Sequence, residues 1–253
     1  MFRSTRRLAA ALSCAAIAAP LQAQDDIGQR ATLLDSPGGP KQQLAEKGID
    51  LSVDVTQFVQ GLSDDAHGWP SGGKADLRFR LDGRKLGTWP GFFVTGHAEL
   101  NYGSSANKDA RGLNIIPVNT ALAYPSLNDS MVSLLFTQAF SETTALTLGL
   151  FNMFDVAART PLVGGGGIDT FWNLAIAAPL TNITPPYIYG VSLNTRNDIG
   201  SFGLFVYDPR DAQNLNIARD LFEDGVTLSA TASFPVTIAG LGGFQNLRVA
   251  YST

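Results

Sequence analysis

Residues 74–82 have the sequence Lys74-Ala75-Asp76-Leu77-Arg78-Phe79-Arg80-Leu81-Asp82, in which apolar and charged residues alternate. In an extended chain Leu77, Phe79 and Leu81 fall on one face and the charged residues fall on the other. This period of two predicts a β-strand, because an amphipathic helix needs a period of 3.6 residues. We therefore expect one face of this strand to meet apolar surroundings and the other face to meet polar surroundings.

The same alternation recurs along the chain. Residues 49–60 place Ile49, Leu51, Val53 and Val55 on one face, and residues 92–102 repeat the pattern. Further predicted strands are 131–140, 143–151, 187–194, 201–207, 226–234 and 246–252. Turn-rich breaks separate them at Ser71-Gly72-Gly73, Gly103-Ser104-Ser105, Asn197-Asp198-Ile199-Gly200 and Gly240-Leu241-Gly242-Gly243. One short helix is predicted over residues 40–47, with proline in its first turn and Gly48 as its stop. The fold class is all-β.

Two architectures produce this alternation. A soluble sandwich or barrel turns the apolar face inward, whereas a membrane barrel turns it toward lipid and lines a wet lumen with the polar face. Strand length favours the membrane, because a spanning strand needs about 9–11 residues and residues 49–60 and 92–102 reach that length. Aromatic residues near strand ends, such as Trp89 and Tyr102, suit interfacial girdles. A soluble periplasmic β domain that binds a ligand remains the alternative.

The N-terminus predicts export. Arg3, Arg6 and Arg7 precede a short apolar run, and Ala23 suits a cleavage site, so residues 1–23 are predicted to be a Sec signal peptide. A lipoprotein cysteine at Cys14 is the alternative interpretation. We expect residues 24–47 to form a periplasmic arm with the short helix and residues 48–253 to form the barrel.

Composition excludes several classes of protein. The 253 residues are 45% hydrophobic and 16% charged, which argues against disorder. The net charge of −4 argues against nucleic-acid binding. A single cysteine cannot form an intramolecular disulfide or a cysteine-based zinc site, and the body of the chain has no apolar run long enough for a transmembrane helix.

Several motifs follow one another in an order that matches a known family. They are Leu44-Ala45-Glu46-Lys47-Gly48-Ile49, residues 74–82, the turn Leu86-Gly87-Thr88-Trp89-Pro90-Gly91-Phe92, Gly112-Leu113-Asn114, Pro117-Val118-Asn119, Leu134-Leu135-Phe136-Thr137-Gln138 and Leu146-Thr147-Leu148-Gly149-Leu150-Phe151. With these motifs the chain from residue 44 onward resembles the carbohydrate-selective porins of the OprB family. The resemblance implies a large antiparallel transmembrane β-barrel in the bacterial outer membrane that passes small sugars passively and needs no cofactor. Lipid and small sugars are the expected partners, with a homo-oligomer possible.

The length departs from that family. Porin barrels of this kind have about 16 strands, whereas about 8–10 strands fit into the residues after 47. The chain also lacks the terminal aromatic residue that such barrels share. We therefore expect the N-terminal half of a porin; a small closed barrel with a plugged lumen is the other possibility.

The polar face supplies the candidate substrate pathway. Its residues are Asp50, Asp54, Asp76, Arg78, Arg80, Asp82, His97, Glu99 and Asn101. Arginine suits sugars because its planar guanidinium can donate to two neighbouring hydroxyls, so Arg78, Arg80 and Glu99 are the preferred candidates; alternatively the charges form a structural ladder of ion pairs. Of the long loops predicted at 107–128 and 155–186, one is expected to fold inward as a constriction. Trp172 is a candidate sugar-stacking platform there; packing at the membrane interface or within the loop is the alternative.

No catalytic or metal-binding pattern accompanies these residues. His67 and His97 are the only histidines and lie in different contexts, and the motifs of zinc proteases, serine hydrolases and calcium loops are absent from the sequence. The four glycines at 164–167 are followed by no Lys-Ser or Lys-Thr pair, so a phosphate loop is rejected. The sequence predicts a protein that is not an enzyme.

Overall fold

A computed structural model describes residues 32, 35–61, 68–109, 119–122, 130–158, 185–210, 212 and 219–253. Within these residues nine antiparallel strands form one sheet in strict chain order. The strands are β1 (Ile49–Val59), β2 (Ser71–Asp82), β3 (Phe92–Gly103), β4 (Ser130–Ala139), β5 (Thr144–Asn152), β6 (Tyr187–Arg196), β7 (Ser201–Tyr207), β8 (Thr227–Ile238) and β9 (Leu241–Ser252). All of them lie in one unit of the chain, Gln43–Thr253. The predicted all-β antiparallel fold is confirmed.

Short helices accompany the sheet. The predicted N-terminal helix is α1 (Pro40–Glu46), and two shorter ones are α2 (Ala106–Asp109) and α3 (Met153–Ala157). Gly48 ends α1 with a φ of 90°, and its N–H donates to the carbonyl of Ala45 at 3.0 Å. None of the helices in the described ranges is sufficiently long and apolar to cross a membrane.

One apolar row crosses the entire sheet. The register places one such residue of each strand opposite the next: Ile49, Leu81, Val94, Phe136, Leu148, Val191, Val206, Leu228 and Tyr251. Because side chains alternate along a strand, parallel rows share this face, which we call the apolar face. Its side chains are largely exposed: Val53 to 65%, Leu100 to 53% and Val249 to 74%.

The opposite face, the polar face, carries charged and hydroxyl side chains. Lys74, Asp76 and His97 are buried there, together with Ser133 on β4 and Ser229 on β8. Exposed apolar rows on one face and buried charges on the other are the reverse of the usual pattern of a soluble domain, while small apolar clusters such as Phe151, Ile188 and Tyr207 are also buried. The distribution fits a sheet whose apolar face meets lipid.

The strands end on two opposite sides of the sheet. These two sides, which we call its edges, differ in the length of their connections. Residues 83–91, 140–143, 197–200 and 239–240 link strands at one edge, which we call the short-turn edge. Residues 60–70, 104–129, 153–186 and 208–226 link them at the other, the long-loop edge. Outer-membrane barrels combine short periplasmic turns with longer extracellular loops in this way.

Two predicted turns proved to be strand. Ser71-Gly72-Gly73 belongs to β2, because Gly72 and Gly73 pair with Phe58 and Gln57 of β1. A Cβ on Gly73 would collide with the Tyr102 ring, so glycine serves close packing here rather than a bend. In Gly240-Leu241-Gly242-Gly243 only Gly240 belongs to the turn. It forms a tight hairpin with Ala239, in which both residues have positive φ values of 79° and 52°.

β8 also runs four residues beyond its predicted end at Phe234 and contains Pro235. A proline cannot donate to a ladder. Pro235 is tolerated because the ladder between β7 and β8 ends at Ser201 and Ser233, which leaves β9 as the neighbour of Pro235 within the described residues.

Candidate functional site

The polar face carries a cluster of interacting charges where β2 and β3 run side by side. Asp76 pairs with Glu99 in the register, and Lys74 and Arg78 lie two residues to either side of Asp76. The ammonium of Lys74 lies 3.2 Å from the Asp76 carboxylate and 3.7 Å from that of Glu99. Lys74 and Asp76 are almost fully buried, so these ion pairs exist in a region from which water is largely excluded.

His97 lies at the centre of this cluster, and both of its ring nitrogens contact carboxylates. Nε2 lies 2.9 Å from Oδ1 of Asp76, and Nδ1 lies 2.8 Å from Oδ2 of Asp155. Asp76 belongs to β2, whereas Asp155 belongs to α3. His97 therefore joins the sheet to a helix that follows β5.

Asn152 holds the beginning of α3. Its Oδ1 accepts the N–H of Phe154 at 2.9 Å as the N-cap. Its Nδ2 donates to Glu99 at 2.8 Å and to the hydroxyl of Tyr187 at 3.0 Å. One buried amide thus fixes the helix start and ties it to the charged cluster. We call Asp54, Lys74, Asp76, Arg78, His97, Glu99, Asn152, Asp155 and Tyr187 the polar cluster.

The predicted pathway residues do not all join the polar cluster. Asp76, His97 and Glu99 meet at its centre, and Arg78 bridges Asp76 to Asp54 with N–O distances of 3.6 and 3.3 Å. The remaining ones lie apart. Arg80 stacks over Phe93, 4.3 Å from the ring centroid, and Asp50 is exposed opposite Arg80 in the register.

Three further predicted residues have different surroundings. Asp82 accepts the N–H groups of Arg84 and Lys85, so its carboxylate shapes the turn at 83–91. Asn101 is 8% exposed, and its Oδ1 has no hydrogen-bond partner in the described part of the chain. Trp172 lies outside the described residues, as do the predicted signal peptide and most of the two predicted loops.

Four members of the polar cluster were not predicted from the sequence. Lys74 continues the alternation that contains Asp76 and Arg78, and extending that row by two residues would have found it. Asn152, Asp155 and Tyr187 stand at the long-loop edge, where no period operates, and they meet β3 only through tertiary folding. Nothing in the sequence marks these three residues as members of the polar cluster.

The polar face continues beyond the polar cluster. A depression of about 650 Å³ lies over β5–β9, and its lining includes Asn194, Arg196, Thr231, Asn246 and Arg248. Nε of Arg248 donates to the hydroxyl of Ser229 at 2.9 Å. Hydroxyl, amide and guanidinium groups therefore occur on the polar face on both halves of the sheet, beside a buried apolar cluster of Phe151, Ile188 and Tyr207.

The charges of the polar cluster already balance one another. The possible ligand atoms of Asp76, His97 and Glu99 lie within 4.8 Å of one another. However, Lys74 contacts both carboxylates and Arg78 contacts Asp76, so a metal ion would have to displace existing cations. This donor set suits an ion-pair network better than a metal centre.

A second charged group stabilises the connection 208–226 at the long-loop edge. The buried Asp208 accepts hydrogen bonds from the Arg210 guanidinium and from the N–H of Phe222. The bonds with Arg210 are the main reason that the pKa of Asp208 falls to about 2, and the same pairing raises the pKa of Arg210. Arg210 also contacts Asp224 at 2.9 Å.

The comparison with known proteins agrees with this architecture. No family model and no curated protein matches the sequence. Among solved structures, the high-pH structure of OprB from Pseudomonas putida matches with a TM-score of 0.65 and 16% sequence identity. The fold is porin-like. The match covers 85% of this chain and 55% of that one, so this chain spans little more than half the length of the matched structure.

At this level of identity the likeness applies to the fold alone. It agrees with the polar face and with the alternation of short and long connections described above.

Proposed function

We propose that this chain forms the wall of an outer-membrane channel through which small sugars diffuse passively. The observation that carries the proposal is the reversal of the two faces. Leu51, Leu77 and Leu100 are exposed on the apolar face, while Lys74 and Asp76 are buried on the polar face. A sheet of this kind suits a boundary between acyl chains and a wet lumen.

The alternative, a soluble periplasmic β domain, requires the opposite arrangement. Its apolar residues would have to pack together in a dry interior, with the charged rows facing solvent. The exposed fractions of Val53 and Val55, 65% and 68%, oppose this arrangement. The predicted signal peptide at residues 1–23 is compatible with both alternatives, so it does not discriminate.

The chemistry of the polar face supports sugars as solutes. Guanidinium groups such as that of Arg78, which is partly exposed, can donate to two hydroxyls of a sugar at once. The hydroxyls and amides over β5–β9 offer weaker contacts of the same kind. A row of moderate donors and acceptors allows a solute to bind and leave, which passive diffusion requires. The lipid contacts, the outer-membrane location and any homo-oligomer belong to the same proposal.

Planar-bilayer recording tests the proposal. The full chain, purified in detergent, is expected to produce stepwise conductance that glucose in the bath reduces. Arg78→Ala should weaken this block, whereas Arg84→Ala, an exposed residue of the 83–91 turn, should leave it unchanged. Conductance that glucose does not reduce would support a general channel and contradict the part of the proposal that concerns sugars. Recovery of the protein as a soluble monomer without conductance would remove the channel itself.

A further inference from the structure

His97 joins two elements through contacts that depend on its protonation. A neutral imidazole has one donor nitrogen and one acceptor nitrogen, and only the imidazolium donates from both. In this protein both nitrogens lie within 2.9 Å of carboxylate oxygens, which can only accept when they are ionised. Both contacts are therefore satisfied together when His97 carries its second proton.

The surroundings of His97 determine which contact fails when that proton leaves. On β2, Asp76 is buried and held in place by Lys74 and Arg78, so it cannot move away from Nε2, and a lone pair on Nε2 would stay against an anion. On β3, Glu99 lies 3.8 Å from Nδ1, where its negative charge favours a proton, but Lys74 and the amide of Asn152 already contact Glu99. The remaining proton therefore stays on Nε2, because of the two carboxylates that contact the ring directly only that of Asp155 can move into water. Ser133 is the residue opposite His97 on β4.

Asp155 has no comparable support. Among the described residues its carboxylate contacts the sheet through His97, and the side chain is 36% exposed, so water can replace the lost bond. Deprotonation would place the lone pair of Nδ1 against an anion. The contact between His97 and Asp155 is thus the one that opens.

The start of α3 has other attachments that do not involve His97. The amide of Asn152 bonds Glu99 and Tyr187, and the N–H of Met153 donates to the carbonyl of Pro186 at 2.7 Å. Opening of the His97 contact would therefore free the later residues of α3 while Asn152 keeps its beginning in place.

We propose that His97 is a proton-dependent latch that holds α3 on the polar face of the sheet. At low pH the imidazolium joins Asp76 to Asp155 and α3 is fixed. As the pH rises through the titration of His97, Asp155 detaches and α3 swings about Asn152. The latch itself is a property of the fold; its effect on solute passage rests on the proposed channel function.

A spin label on α3 tests the latch directly. The label is attached at Val156→Cys, an exposed position of α3, in a Cys14→Ala background that removes the one native cysteine. Between about pH 5 and about pH 10, a range that spans histidine titration and leaves carboxylates ionised, the spectrum is expected to change from an immobile to a mobile component. The same label at Ile199→Cys, in the short turn 197–200, should show no such change.

Two variants distinguish the latch from general softening. In His97→Gln the amide has donors on one side only, so α3 should be mobile at every pH. In Asp155→Asn the amide can accept from the imidazolium or donate to neutral Nδ1, so α3 should stay immobile at every pH. A pH step that persists in His97→Gln, that is absent from the wild type, or that also occurs at position 199 would overturn the proposal.

Bilayer recording of the same proteins separates the latch from the channel. If both proposals hold, the wild-type conductance rises over the pH range of the spectral step, and it does not in Asp155→Asn. A spectral step in a protein that never conducts would sustain the latch and remove the channel. Conductance that sugar blocks, without a spectral step, would support the channel and contradict the latch.

Discussion

The charge balance of the polar cluster depends mainly on Lys74. It is buried and lies within 3.7 Å of two carboxylates, those of Asp76 and Glu99. Removing these charges from water costs solvation free energy that their contacts must offset. The stability of this part of the sheet should therefore respond strongly to loss of the single ammonium.

We expect Lys74→Met to lower the free energy of unfolding by about 3–5 kcal/mol, because it removes the buried cation that Asp76 and Glu99 share. Urea titration in detergent micelles measures this. Lys47→Met, an exposed lysine just after α1, is the matched control and should cost little. Adding Glu99→Gln to Lys74→Met should recover part of the loss; a double variant that is worse than the sum of both changes would contradict the assignment.

Asp208 makes the connection 208–226 sensitive to acid. Its pKa of about 2 lies below the ordinary value, so the stability it contributes is complete above about pH 4 and is lost as the pH falls through 2. Limited digestion with an acid-stable protease across this range should show the connection becoming cleavable. Asp208→Asn should be cleavable already at about pH 4, whereas Asp198→Asn, at an exposed turn position, should behave like the wild type. Equal cleavage of all three proteins would exclude this role.

At the scale of strands, the sequence contained most of the fold. The period of two predicted all nine strands because one side of the sheet needs apolar residues at every second position. Strand ends were less predictable. Gly72 and Gly73 resemble a turn in sequence, but the ladder to β1 and the Tyr102 ring above them favour strand.

The candidate site was predictable only where it follows the same period. Asp76, Arg78, His97 and Glu99 lie on regular strands, so alternation alone places them on one face. Asn152 at the end of β5 and Asp155 on α3 also reach the polar cluster, and contacts between residues more than 50 positions apart leave no local pattern. Alternation also could not predict that Arg80 lies apart from the polar cluster. The position of the Arg80 guanidinium against Phe93 depends on side-chain conformation.

Adjacent residues of β6 allow a test of the two faces. Val191 belongs to the apolar row and Ser192 to the polar face. We expect Val191→Lys to destabilise the protein in lipid vesicles by about 2–4 kcal/mol, because a charge there must enter hydrocarbon. Ser192→Lys should cost far less. Urea titration followed by the heat-modifiable shift on a gel measures both, and equal costs would argue against lipid on the apolar face.

For the molecule as a whole, the connections define an orientation. The polypeptide enters β1 at the short-turn edge through α1, and Lys85 of the 83–91 turn donates to the carbonyl of Ala45 at 2.8 Å. The helix and the short turns thus share one edge, while Asp208 and Arg210 brace a connection at the other. In a bacterial outer membrane the short-turn edge would face the periplasm.

This orientation can be tested on intact cells with a maleimide attached to a polymer too large to pass the channel. In a Cys14→Ala background, Glu223→Cys lies exposed at the long-loop edge and Asp198→Cys lies exposed at the short-turn edge. Because long loops face outward, position 223 should react on intact cells, and position 198 should react only after the outer membrane is permeabilised. Reaction of both positions on intact cells would mean that the sheet does not separate two compartments, and the reversed pattern would invert the orientation.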